Sequence, residues 1–189
     1  TVTPCCDPPL TSLRMWAEPE FIRAAAGGLG AAKTGANYAA GFGGLMRARE
    51  LGYDDVIWLD AATHTLLGEA GTMNLFVQIG ARLFTPPLDG TILAGVTRDC
   101  VLRIARELGI EVVEAHVSLE QLRAAAAAGE LGCAFGTGTA ARVVTIREIG
   151  GPGGTIQFPD QGLTGKISAT LKAAQEGSDS AHAKWRVAV

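Results

Sequence analysis

A chain of 189 residues that is 48% hydrophobic, 6% aromatic and 19% charged, with a formal charge of −3, can bury a core without disulfides or metal; a domain near this size hides roughly 70% of its unfolded surface. Such a composition excludes disorder, and no apolar stretch reaches the ~18 uncharged residues that a membrane-spanning helix needs. A pI near 5.6 without clusters of Lys or Arg argues against a nucleic-acid surface as the main function.

Residues 1–12 hold Pro4, Pro8, Pro9 and the vicinal pair Cys5-Cys6, show no periodicity and read as an irregular remnant. Thr1 to Leu10 has no basic patch followed by an apolar run, so no secretory leader is expected. Leu13 to Trp16 predicts a short strand, and Glu18 to Ala26 is a polar–apolar mixture leading into a glycine-rich turn. Tyr38, Phe42, Leu45, Met46 and Arg49 recur at near-helical spacing and predict one helix over 37–51, closed by Gly52. Val56 to Leu59 predicts a buried strand. Thr65 to Leu67 and Asn74 to Ile79 read as strands joined by 68–72, and Arg82 to Thr85 completes a hairpin through Gly80-Ala81. Thr97 to Leu108 places Cys100, Val101, Ile104, Ala105 and Leu108 on one helical face, with Gly109 ending it. Val112 to Val117 reads as a strand, and Ser118 opens a helix with capping-box spacing to Gln121. Strands over 132–135, 143–146 and 155–158, a turn at 150–154 and a helix over 165–175 complete a mixed α/β domain. That domain is expected over 13–176, with a loosely held tail over 177–189.

No C-x-x-C occurs, no cysteine pair has zinc-ligand spacing and His64, His116 and His182 are scattered, so no metal is expected. The cysteines read as reduced and structural in a cytoplasmic protein. Two motif matches fail on context. Ala32 replaces the glycine that a P-loop needs before its lysine. The G-x-G-x-x-A pattern at Gly136 to Ala141 runs into a strand-like segment, where a dinucleotide fold needs a helix.

Of the sixteen basic residues only four are lysines, and Lys33 is the single one in the first 165 positions. It stands among small residues, where a ligand can approach the backbone closely. Five segments together suit one chemistry: Lys33 itself, Asn37-Tyr38, Glu69 to Asn74, Gly90 to Arg98, and Phe135 to Ala140. A primary amine can form a Schiff base with an aldehyde. A pyridine ring used as an electron sink needs a carboxylate at its nitrogen, and Glu69 is available. A phosphate tail needs amides at a helix start plus hydroxyls, as at Val96-Thr97 and Thr139. Each also has a plain structural reading: Glu69 as a surface acid at a strand end, the glycines as turns, Tyr38 as core.

These segments, in this order, resemble the branched-chain amino-acid aminotransferases, fold type IV enzymes dependent on pyridoxal phosphate. The matching stretches are Gly28 to Tyr38, Val56 to Asp60, Glu69 to Phe76, Thr85 to Gly90, Ile92 to Arg98 and Phe135 to Ala140. The likeness covers roughly 14 to 175, with a trace around His182 to Trp185. It implies the family's large C-terminal domain, in which mixed sheets form a pseudo-barrel with flanking helices, without the small N-terminal domain. It further implies Lys33 as the Schiff-base lysine and proton carrier, Glu69 at the ring nitrogen, Tyr38 at the ring's phenolate oxygen and Leu93 against the ring. Val96 and Thr97 amides with Thr139 would hold the phosphate, while Thr72, Thr139 and Ala140 would meet the substrate carboxylate. The implied reaction is ping-pong transfer from leucine, isoleucine or valine to 2-oxoglutarate, in a family of homodimers. Aminodeoxychorismate lyase or D-amino-acid transaminase activity on the same scaffold, or a non-catalytic remnant, are the alternatives. Ala36 stands where the family has a second glycine and Ala94 where it has proline; neither removes a chemical group. Without the small domain, a phosphate-binding arginine and part of the side-chain pocket would be lacking, so impaired activity is expected.

Overall fold

The computed structural model describes residues 12–159 and 162–185. The remnant expected over 1–12 therefore lies, but for Ser12, outside the described residues. Among these, nine strands join in one mixed sheet. They are β1 (Leu13–Ala17), β2 (Asp55–Leu59), β3 (Leu67–Ala70), β4 (Asn74–Ile79), β5 (Arg82–Thr85), β6 (Glu111–Glu114), β7 (Leu131–Gly138), β8 (Arg142–Gly151) and β9 (Gly154–Gln157). Strand order is β3-β2-β1-β8-β7-β4-β5-β6, with β9 pairing β8. The β1–β2, β1–β8 and β5–β6 pairs are parallel and the others antiparallel. The helices are α1 (Gly35–Ala40), α2 (Phe42–Glu50), α3 (Val96–Glu107), α4 (Leu119–Ala127) and α5 (Leu163–Glu176).

Alternation along the strands sends neighbouring residues to opposite faces. Met15, Ile57, Leu75, Val77, Ala134, Ile146 and Ile149 meet in one cluster with Leu119, Leu122 and Ala125 of α4. So many strands reach one cluster because the sheet curls into a half-barrel around it. Phe76 and Phe135 point to the other face, stacked at 5.1 Å between ring centres. There Val101, Ile104 and Ala105 of α3 and Ile167 and Leu171 of α5 cover them. Strand β2 is apolar at every position from Val56 to Leu59 because both its faces are covered: Ile57 and Leu59 enter the main core, Val56 and Trp58 pack against Ala48 of α2.

Four expectations are corrected. The single helix over 37–51 is two, broken at Gly41, because the chain must pass flat over the Trp58 indole: Cβ atoms at Gly41 and Gly44 would lie 3.0 and 2.9 Å from its ring. Tyr38, whose plain structural reading is core, is exposed together with Phe42 and Met46, and Gly44 and Ala48 are the buried positions of α2. The connection expected at 68–72 is largely strand: β3 runs through Glu69, and the turn falls at Gly71, whose φ of +58° and contact with Asp55 leave no room for a side chain. Strands β7 and β8 continue to Gly138 and from Arg142, so the glycines at 136 and 138 are strand residues. Gly136 is small because Met73 crosses it.

The capping box at Ser118 is formed, its hydroxyl accepting from the Gln121 amide at 3.0 Å and the Gln121 side chain from the Ser118 amide at 2.7 Å. Within the described part of the tail, His182 is buried, bonded to Asp179 and, at 2.8 Å, to Glu107 of α3, and its ring meets Trp185 edge-on.

Candidate active site

Two hollows of about 270 and 260 Å³ share Arg23, Trp58 and Glu69 in their walls. The smaller is also lined by Ala32, Lys33, Asn37, Tyr38, Gly41, Phe42, Leu45, Asp55, Gly71, Thr72 and Leu93. It thus gathers an amine, a phenol, a carboxylate and an apolar flank.

Glu69 reaches the hollow from β3 with its side chain only 4% exposed. One oxygen, Oε1, accepts from the Leu93 amide at 2.8 Å and from Asn74 Nδ2 at 3.3 Å. The other, Oε2, pairs with Arg23 Nη2 at 2.9 Å. Asn74 also donates to the Leu93 carbonyl at 2.8 Å, so the acid and the Leu93 turn hold each other. Burial pushes the Glu69 carboxyl above its ordinary range, opposed by the Arg23 charge, the Leu93 amide and the Lys33 charge.

Lys33 lines the same hollow from a loop of small residues, with an exposed side chain. Asn37 closes that loop, its Nδ2 donating to the carbonyls of Leu29 and Ala32, both at 2.7 Å. The loop crosses the segment before Leu93 so closely that a Cβ on Gly30 would lie 2.6 Å from the Thr91 backbone. The Ala31 amide donates there to the Gly90 carbonyl at 3.1 Å. Tyr38 enters from α1 and is 44% exposed. Helix α1 buries none of its residues.

The structure therefore brings Lys33, Tyr38, Glu69, Thr72 and Leu93 round one hollow. Val96, Thr97, Thr139 and Ala140 are not part of that lining. Val96 is exposed and Thr97 buried at the start of α3, where first-turn amides have no intrahelical acceptor. Thr139 and Ala140 are exposed in the β7–β8 turn. The two places neighbour each other through Asn74, which pairs with Thr137 near the end of β7 and whose Oδ1 would meet a Cβ on Gly95, the residue capping α3.

Three wall residues, Arg23, Trp58 and Asp55, and Asn74 beside Glu69 have no individual role in the sequence reading. Arg23 did leave a signal, as the one basic residue between Arg14 and Lys33, set in the run Phe21-Ile-Arg-Ala-Ala-Ala26. A cation in such surroundings needs a buried partner. Trp58 in a wholly apolar strand likewise needs an acceptor, and its indole donates to the Gly71 carbonyl at 3.0 Å.

A half-barrel of mixed strands with an amine and a buried carboxylate at one hollow fits a known class. The family profile for amino-transferase class IV matches residues 7–149, and the chain belongs to that family. The chain is 41% identical over 186 residues to the branched-chain-amino-acid transaminase 1 of Bacillus subtilis, covering 97% of this chain and 52% of that protein. It is 38% identical over 167 residues to the branched-chain-amino-acid aminotransferase of Mycolicibacterium smegmatis, covering 86% and 45%. Among solved structures, the Thermoproteus uzoniensis branched-chain aminotransferase with norvaline superposes with a TM-score of 0.78 at 30% identity, over 94% of this chain and 56% of that one. The Thermobaculum terrenum branched-chain amino acid aminotransferase in its PLP-form gives 0.79 at 25%, over 94% and 55%. The chain thus spans about half the length of the curated relatives it matches.

Proposed function

We propose that residues 13–176 form the cofactor-binding domain of a pyridoxal-phosphate-dependent aminotransferase that moves the amino group of leucine, isoleucine or valine to 2-oxoglutarate. The observation that carries this reading is the meeting of Lys33 and Glu69 at one hollow, which Tyr38 and Leu93 also line. The residues present suit the group: an amine, a buried carboxylate with further lone pairs, a phenol and a leucine side chain face a space for a substituted ring. When bound, pyridoxal phosphate supplies an aldehyde for an amine to condense with and a ring that accepts electrons from the substrate α-carbon.

Each residue then has its task. The Lys33 amine would hold the aldehyde group and, once freed by an incoming amino acid, would serve as the base that takes the proton of the substrate α-carbon and as the acid that gives it back. Positioned proton transfer of this kind contributes ~10²–10⁴-fold. Glu69 keeps a charge opposite the ring nitrogen, where burial strengthens their attraction. Tyr38 donates to the ring oxygen, and Leu93 packs on the ring face. The Val96 and Thr97 amides with Thr139 hold the phosphate, as the start of a helix favours an anion. Thr72, Thr139 and Ala140 meet the substrate carboxylate. The likeness to relatives named for branched-chain substrates supports the choice of substrate.

Exposure of Lys33 and Tyr38 leaves the reacting end open to water, which weakens every charge interaction there. Turnover by this chain is accordingly impaired. A cytoplasmic location and a homodimer are part of the same reading, and the exposed apolar side chains of Phe42 and Met46 support the homodimer.

The experiment is a substrate profile of the purified chain with pyridoxal phosphate. L-Leucine with 2-oxoglutarate is expected to give slow turnover that exceeds any with D-alanine or 4-amino-4-deoxychorismate. Preference for either of the latter would overturn the substrate assignment, and no cofactor-dependent turnover with a cofactor bound elsewhere than Lys33 would overturn the whole reading.

A further inference from the structure

We propose that Arg23 is a positioning residue for the hollow: its guanidinium holds Glu69 as an aimed carboxylate and locks the Lys33 loop and the Leu93 segment to it. The proposal rests on the roles of Lys33 and Glu69 given above.

Three segments far apart in sequence meet on this one side chain. Its Nη2 lies 2.9 Å from Glu69 Oε2 on β3 and donates at 3.0 Å to the carbonyl of Gly30, three residues before Lys33. Its Nη1 donates at 2.8 Å to the carbonyl of Thr91, two residues before Leu93. A planar fork serves several acceptors in fixed directions, which the compact ammonium of a lysine cannot do. With the side chain 11% exposed, neither the charge nor its bonds can be handed to water. The pair with Glu69 is therefore strong in place and costly to break.

The consequence for the acid follows from its burial. Enclosure favours the neutral carboxyl, and the Arg23 charge is foremost among the influences opposing it. A neutral Glu69 would offer no charge to a ring nitrogen. The other charged groups near it are Lys33 on the same loop, Asp55 at the start of β2 and, round the neighbouring hollow, Asp60, Asp89 and His116. Among the described residues, Arg23 is the charged group that lies within ion-pair distance of a Glu69 oxygen. A purely structural role for Arg23 would tie the two loops without governing the protonation of Glu69.

The test titrates Glu69 in the whole chain without cofactor, by NMR of ¹³C-labelled glutamate carboxyls, with the Glu69 signal assigned by its loss in Glu69→Gln. In Arg23→Gln the Glu69 midpoint is expected to rise by about one to three pH units. In Arg23→Lys, which keeps the charge and loses the fork, it is expected to stay near the parent value. Pyridoxal-phosphate affinity, read by tryptophan fluorescence, is expected to fall in both, further in Arg23→Gln. An unshifted midpoint in a folded Arg23→Gln chain overturns the proposal. Should that variant fail to fold, Arg23→Lys decides: a parent-like midpoint with weaker cofactor binding supports the proposal, while a raised midpoint or parent-like binding overturns it. A raised midpoint in Arg23→Gln beside a parent chain that does not take the cofactor at Lys33 would support the hold on Glu69 and count against the aminotransferase reading.

Discussion

Glu69 and Lys33 line the same hollow, yet Glu69 is enclosed by Arg23, Asn74 and the Leu93 amide, while Lys33 stands exposed on a loop of small residues clasped by Asn37. The acid side is assembled by the fold itself. Its strand, its counter-charge and the segment that flanks it are joined by bonds that exist before any ligand arrives, which is preorganisation in the electrostatic sense. The amine side is open, as a group must be that is to be reached, displaced and released. The acid side should accordingly govern stability, and the amine side chemistry.

The largest effect expected is on the open side. Lys33→Ala should abolish the visible absorbance that pyridoxal phosphate acquires on joining a protein amine, while unfolding in urea shifts by no more than about 0.5 kcal/mol, as for other exposed positions. A stability loss of several kcal/mol would break the comparison. Glu69→Gln should do the reverse to the fold: it strands the Arg23 charge in a poorly hydrated place, at a cost of about 3–5 kcal/mol in urea denaturation. Trp58→Phe sharpens the contrast, since it leaves the Gly71 carbonyl without its indole donor in the wall itself; about 1–3 kcal/mol is expected by the same measurement.

The smallest effect tests a region away from the hollow. Hydrogen bonding to Asp179 holds the His182 imidazole above its ordinary value, with burial working against it and Glu107 adding to the rise. A raised native value means that the protonated form is favoured by folding. Its contribution is complete below about pH 6.5 and is lost as pH climbs through the raised value. Melting temperature should fall over that window in the parent chain and be flat across it in His182→Phe.

Much of the fold was legible because it is local. Short apolar runs bounded by turn residues named most of the strands, and the Ser118–Gln121 spacing named a capping box that forms as written. The mixed α/β class and the resemblance to class IV aminotransferases agree with the half-barrel and the family match. What escaped depends on contacts between distant segments. Gly41 and Gly44 looked tolerable within one helix, and only the presence of Trp58 beneath them explains the break. Gly68 looked like a turn, yet it is a strand residue whose Cβ would stand 3.0 Å from the Trp58 carbonyl. Arg23 belongs to no motif, since its meaning lies in carbonyls and a carboxylate from three other places in the chain. At the hollow, the lone lysine and the acid stand out by type and surroundings, whereas the relation of Val96, Thr97 and Thr139 to them runs through Asn74 and is invisible in spacing.

The most direct test of the shared hollow is borohydride reduction of the chain loaded with pyridoxal phosphate, followed by peptide mapping of the trapped cofactor. The account predicts the label on Lys33, with markedly less of it in Glu69→Gln. Label spread over Lys166, Lys172 and Lys184, or label on Lys33 indifferent to the loss of the acid, would contradict it.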